Sequence, residues 1–283
     1  MKKNLFRSTM VLTVALVAML VINSCQKDNE SVAPLLAEEV VPYSFGCNML
    51  PEAEYAKIPV AKFESVKTLP TSVNLVVPPV GNQGGEGSCV AWGTTYAARS
   101  TSYQNTNGGS YSTSTNIFSP EYVYNQIKAS SDCNSGSYTT TGLNLLVNQG
   151  ACLWNDMPYT DTDCDVMPNS TQTALAANYK ISSYATVPVT VDAIKAQLAA
   201  GKILVVAGSV YGAYMNLGYD QVITTAKGRV YGGHCYSCVG YDDAKNAFKF
   251  MNSWGTSWAT DGFGWIDYAI ISKYWREAYV VYE

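Results

Sequence analysis

Residues 83–92 run Gln-Gly-Gly-Glu-Gly-Ser-Cys-Val-Ala-Trp, and they limit the fold more than any other stretch of the chain. A glycine-rich loop stops at Cys89, and helix formers follow with apolar positions at Val90, Trp92, Tyr96, Ala97 and Tyr103. This pattern predicts a helix over 89–103 with a cysteine in its first turn. Unpaired backbone N–H groups and the positive end of the macrodipole favour an anion at that position. A thiol placed there ionises more easily than its free value of about 8.5 allows, and the thiolate is the nucleophilic form. The bland alternative is a buried structural thiol, and the rest of the chain has to decide between the two.

The elements that follow separate by type. Ser119-Pro120-Glu121 is a helix start, with a capping hydroxyl, proline at the first helical position and an acid in the first turn. It predicts a helix to about Lys128. A further helix over 141–149 stops at Gly150, and another starts at Thr190 and stops before Gly201. Apolar, strand-like runs then occupy 203–207, 235–241, 247–251, 263–268 and 278–282. With 283 residues and 47% hydrophobic content, the chain can bury a sizeable core. Helices gathered in the first half and strands in the second predict an α+β protein. Its expected form is a helical lobe, a sheet or barrel lobe and a cleft between them.

The first residues read as a targeting segment. Lys2, Lys3 and Arg7 precede an uncharged stretch of thirteen residues, Met10 to Ile22, too short for a spanning helix of about 20 residues. Val21-Ile22-Asn23-Ser24-Cys25 resembles a bacterial lipobox, which implies cleavage after residue 24 and acylation of Cys25. The charged run Gln26-Lys27-Asp28-Asn29-Glu30 is similar to the tag that sends some bacterial lipoproteins to the cell surface. The expectation is an exported protein, held on the outer membrane through lipid alone. Residues 25–66 are acidic and proline-dotted, and read as a tether or a short pro-segment, with the globular domain over 67–283. Loss of residues 1–24 removes three positive charges and takes the net charge from −4 to −7. That balance argues against nucleic acid and anionic headgroups as partners. Export also makes disulfides available to the eight cysteines.

His234 is the only histidine, so any imidazole chemistry must use it. It follows Tyr231-Gly232-Gly233 and is expected at the edge of a strand. A thiol nucleophile needs a base and then an acid, and imidazole serves as both near neutral pH. Asn252, in Met251-Asn252-Ser253-Trp254-Gly255, can orient the ring through its amide, with Trp254 covering the bond. Gln83 lies six residues before Cys89, within reach to join the Cys89 N–H in an oxyanion hole.

At this point the sequence resembles the papain-like cysteine peptidases. Gln83 to Cys89 is similar to the nucleophile loop of that family, and Ser119-Pro120-Glu121-Tyr122-Val123-Tyr124 to its following helix. Cys133-Asn134-Ser135-Gly136 is similar to the substrate-cradling turn, and His234 to Asp242 to the histidine strand. Asn252 to Trp258, followed by Gly262-Phe263-Gly264, is similar to the asparagine segment. The motifs run in family order over about 69–283. His234 lies 145 residues after Cys89, inside the family range of about 130–150. The resemblance implies a peptidase without metal or cofactor and with catalytic Gln83, Cys89, His234 and Asn252. Its implied fold sets the nucleophile helix against an antiparallel, barrel-like sheet lobe. Substrate would meet Ser135, Gly136, Ser137, Gly233 and Trp254, with a pocket near Tyr138 and Cys235. The expected partner is a peptide or protein, and the expected state a monomer.

The sequence also departs from the family. Glu86 stands where many members carry a cysteine that bridges to the one matching Cys133. Cys152 and Cys164 resemble the short disulfide loop of bacterial members, which implies that they pair. Cys235 and Cys238 on a strand point to opposite faces, so they are read as buried thiols and not as a zinc pair. The rival readings are a non-catalytic peptide-binding lipoprotein on the same fold, and a Cys–His amidase or acyl transferase.

Overall fold

Residues 41–62 and 68–283 are described by the structure, a computed structural model. The Cys25 anchor and the targeting segment lie outside the described residues. In chain order the strands are β1 (Cys47–Asn48), β2 (Ser72–Asn74), β3 (Ser137–Tyr138), β4 (Ser183–Thr186) and β5 (Leu204–Tyr211). Then come β6 (Val222–Ile223), β7 (Val230–Asp242), β8 (Ala247–Met251), β9 (Phe263–Asp267) and β10 (Glu277–Tyr282). The main sheet runs β4-β10-β5-β7-β8-β9-β6, with β2 pairing on the far end of β7. Its path has two ends, so the sheet is open and the barrel-like closure expected from the resemblance is absent. The β4 edge is covered instead by the N-terminal residues, where Thr186 N donates to Pro59 O at 2.8 Å and Ala61 N to Thr186 O at 2.7 Å. An edge paired this way exposes no ladder of free donors and needs no partner strand.

The helices between Cys89 and Asn148 pack on one face of the sheet, and Val191–Ala199 on the other. Cys89–Ala91, Trp92–Arg99 and Ser100–Asn107 form one continuous helix, the middle section wound more widely as a π-helix. Every residue from Cys89 to Thr101 is buried. The polar ones survive burial by bonding locally: Thr94 Oγ1 donates to Val90 O at 2.7 Å, and Arg99 donates to Glu283 at 2.6 Å and to Tyr179 O at 3.0 Å. The helix after Ser119 spans Pro120–Ile127, and Ser119 Oγ accepts from Tyr122 N at 3.0 Å as the predicted cap. The next helix, Thr139–Asn148, starts two residues before its predicted bound and ends before Gly150, at φ +81°. Thr190 caps Val191–Ala199 as expected.

Side chains of β7 alternate between two cores. Cys235 and Val239 face the core under the nucleophile helix, whereas Tyr236, Cys238 and Tyr241 face the opposite one. The strand begins at Val230, five residues before its predicted start, and pairs with β5 as far as Cys238. His234 is therefore in the interior of a central strand, opposite Gly208, and not at an edge. Gly232 and Gly233 hid that extent, because glycine weakens a strand signal. Their missing side chains leave room for another segment: a Cβ on Gly233 would lie 2.1 Å from the carbonyl oxygen of Cys47.

The disulfide is Cys133–Cys164, and Cys152 is a free buried thiol, so the expected Cys152–Cys164 pair is wrong. Cys152 is held in the helical core, where its carbonyl accepts from Ser119 N. Cys164 folds back on the turn over 133–136, with Lys128 Nζ donating to Cys164 O at 2.6 Å. Glu86 fills the space beside this bridge, where the family cysteine would be. Closing a loop of 31 residues is worth about 3–4 kcal/mol by chain entropy.

Candidate active site

Cys89 opens its helix after Ser88, whose hydroxyl is 2.7 Å from that of Tyr159. The loop before it is held on two sides. Gly87 N donates to Cys133 O at 2.9 Å, and Gln83 N donates to Ser253 O at 2.8 Å. The second bond, with the Asn82–Trp254 bridge, ties the nucleophile loop to the asparagine segment 170 residues later in the chain. Gln83 is fully buried: its Oε1 accepts from Ser253 Oγ at 2.7 Å, and its Nε2 donates to Glu86 O at 2.9 Å. Nε2 also lies 3.5 Å from Phe45 O.

His234 Nε2 is 2.8 Å from Asn252 Oδ1. Because Oδ1 only accepts, Nε2 carries the proton and Nδ1 keeps its lone pair. That Nδ1 is buried and has no hydrogen-bond partner among the described residues. Trp254 stacks on the imidazole at 4.7 Å and 25°, as expected of a cover, and Tyr214 approaches it edge-on at 6.0 Å. The backbone of Cys235, the residue next to His234, acts on the Cys89 thiol together with the backbone of Val90 and of Cys89 itself, each favouring the thiolate. The packing of a helix on β7 thus sets Cys89 beside Cys235, the residue next to His234, while Ser253 ties Gln83 to the segment that carries Asn252.

The site is closed. Residues 43–50, here called the leader, run through it. Tyr43 stacks on Trp254 at 4.3 Å, and Trp254 Nε1 donates to Ser44 O at 3.1 Å. Phe45 meets the His234 ring edge-on at 5.9 Å. Gly46 N donates to Gly233 O at 3.3 Å, and Ser137 N donates to Gly46 O at 2.8 Å. The leader then pairs with β3 in parallel as β1, Asn48 Nδ2 donates to Ser135 O at 3.3 Å, and Leu50 N donates to Glu277 Oε1 at 2.6 Å. Gly46 adopts φ +134°, and a Cβ there would lie 1.9 Å from Gly87 O. Gly136, at φ +66°, leaves room for the Gly46 carbonyl in the same way. Ser135, Gly136, Ser137, Gly233 and Trp254 therefore all meet the leader, and Tyr138 pairs with its Asn48 while staying 40% exposed.

Burial sets the charges. It pushes the Cys89 thiol well above its ordinary value, and the nearby Cys47 thiol adds to this against the three backbone groups. It lowers His234 from 6.5 to about 4, although the Asn252 bond opposes the change. With the leader in place burial favours the neutral form of both groups. Sequence reasoning missed Glu277, a carboxylic acid 1% exposed whose pKa burial raises and which Tyr279 and Leu50 N satisfy. It also missed Tyr214 and the leader residues Phe45 and Cys47. An acid inside the apolar run 277–282 was the one available signal.

The arrangement is matched by known proteins. The family model described as papain family cysteine protease covers residues 68–282. Gamete and mating-type specific protein A of Dictyostelium discoideum is 30% identical over 189 residues, 65% of this chain and 39% of that protein's length. Xylellain, a cysteine protease from Xylella fastidiosa, superposes with a TM-score of 0.74 at 26% identity, over 86% of this chain and 96% of its own. Digestive procathepsin L2 proteinase from Tenebrio molitor larval midgut shares the fold, with a TM-score of 0.69 at 21% identity over 88% and 81%. The motifs, the packing that joins them and these matches agree: the chain belongs to the papain family of cysteine proteases.

Proposed function

We propose that this peptidase works through Cys89, His234 and Asn252, with Gln83 as oxyanion donor, and that the leader holds it latent. The observation that carries the reading is the His234–Asn252 bond at 2.8 Å, which leaves Nδ1 as the free base next to Cys235, whose backbone acts on the Cys89 thiol. Once the leader departs, water reaches the site and the charged pair becomes the favoured state. The Cys89 thiolate attacks a peptide carbonyl, and Gln83 Nε2 with the Cys89 N–H bonds the oxyanion. His234 protonates the leaving amine, and then takes a proton from the water that hydrolyses the thioester. The leader fits the role of a plug because it runs parallel to β3 and places the Phe45 carbonyl near Gln83.

Gly46→Ala tests both parts. The added Cβ has no space between Gly87 and the leader, so seating should fail. The full-length variant is expected to hydrolyse a peptide library at least about tenfold faster than the parent, the size of a 1.4 kcal/mol change in closure. A chain that cleaves no peptide with the leader displaced contradicts the peptidase reading, and equal rates contradict the plug. We also propose export and a lipid on Cys25, supported by the residues 2–30 alone. The intact mass of the mature chain checks this, with a diacylglyceryl cysteine as its first residue expected and an unmodified Cys25 contradicting it.

A further inference from the structure

Five free cysteines are buried among the described residues: Cys47, Cys89, Cys152, Cys235 and Cys238. Cys152 is enclosed in the helical core and Cys238 in the core on the other face of the sheet. The other three meet at the cleft, and catalysis uses only Cys89. Cys47 arrives there on the leader, its position fixed by Gly46 N on Gly233 O at 3.3 Å and by its pairing with Ser137. The leader backbone at Cys47 is in contact with Gly233, two residues before Cys235. Cys47 and Cys235 lie in the same buried cluster, where burial pushes the Cys235 thiol up and the Cys47 thiol beside it adds to this, and Cys47 Sγ is 3.6 Å from Thr139 Oγ1.

We propose that Cys47 and Cys235 form a thiol–disulfide latch, closed by small-molecule disulfides and opened by small-molecule thiols, that locks the leader in the cleft. The proposal rests on the reading of the leader as a plug. While the leader is out, Cys47 attacks one sulfur of a disulfide RSSR, forming a Cys47–S–SR mixed disulfide and releasing RSH. When the leader returns, Cys235 attacks the Cys47 sulfur and the second RSH leaves. Two protein thiols are oxidised, one RSSR is reduced, and the two thiol protons leave on the two RSH molecules. Reduction by two thiols reverses the sequence. The bond would join the leader to the residue beside His234, so the cleft stays shut with Cys89 itself unmodified.

The test uses the full-length chain carrying Cys89→Ala, which removes competing chemistry at the nucleophile. After incubation with oxidised glutathione, non-reducing peptide mapping should find residues 47 and 235 linked, two hydrogens lighter than the free thiols. The native Cys133–Cys164 bridge serves as an internal control. Cys47→Ser and Cys235→Ser should each abolish the link, and the link should slow limited proteolysis of the leader at least about tenfold. Cys47 found free, or carrying only glutathione, overturns the latch. A missing link with Gly46→Ala still activating leaves the plug standing without the latch. A link formed while Gly46→Ala gives no activation keeps the contact and removes its regulatory meaning.

Discussion

Cys89→Ala, introduced beside Gly46→Ala so that the cleft is open, is expected to lower peptide turnover by roughly 10⁴–10⁶-fold. Nothing else in the site can form the acyl-enzyme. Cys235 faces the core against Gly93, where a Cβ would come within 2.9 Å of its sulfur, and Cys47 belongs to the displaced leader. Residual hydrolysis would come from binding and the oxyanion donors alone. The change removes a fully buried sulfur at a helix start and should leave folding intact, which thermal unfolding checks. Cys238→Ala is the control: its sulfur packs on the opposite core, so stability should fall while turnover per folded molecule is kept. Turnover surviving Cys89→Ala would mean that the nucleophile lies elsewhere.

Gln83→Ala, in the same background, is expected to reduce kcat by about 10²–10³-fold with a smaller change in KM, as for other lost oxyanion donors. The alanine also strips Ser253 Oγ of its acceptor, a bond of 2.7 Å, so part of the loss could be structural. Gln83→Glu separates the two effects. It keeps the acceptor for Ser253 and removes the N–H donor together with the bond to Glu86 O, so kcat should fall while thermal unfolding reports the loss of anchoring separately. A Gln83→Glu enzyme with unchanged kcat would remove the side chain from the mechanism and leave it a strut between two loops.

The residues of the candidate site were legible because each sits in a short local pattern. Cys89 follows a glycine loop and opens a helix, His234 is the sole imidazole, and Asn252 ends a strand beside a tryptophan. Two helix caps, Ser119 and Thr190, were readable for the same reason. The leader was not. It docks mainly through backbone groups, and Gly46 is chosen for the absence of a side chain, which leaves no periodicity to read. The disulfide was misread because pairing depends on which loops meet, and Cys164 meets the turn at Cys133 and not its sequence neighbour Cys152. The strand through His234 was cut short by two glycines that exist to admit the leader. In each case the missing information lay in a contact between distant segments.

The same closure makes a statement about protons. With the leader seated, His234 titrates near pH 4, against 6.5 for a free imidazole, a difference of about 3 kcal/mol. A base whose pKa is lowered in the closed state gives stability that is complete above pH 6.5 and lost as pH falls towards 4. His234 alone therefore favours opening in acid. Glu277, raised and bonded to Leu50 N, works in the opposite direction, because its protonated form is favoured while it is buried.

One imidazole in the whole chain gives one signal to follow by NMR. In the full-length protein His234 should stay neutral down to about pH 4, whereas in the Gly46→Ala variant it should remain protonated above 6.5, held by the Cys89 thiolate. Adding Cys89→Ala to that variant should return it to an ordinary value. An imidazole that titrates alike in all three chains would mean that His234 and Cys89 do not form a pair beneath the leader.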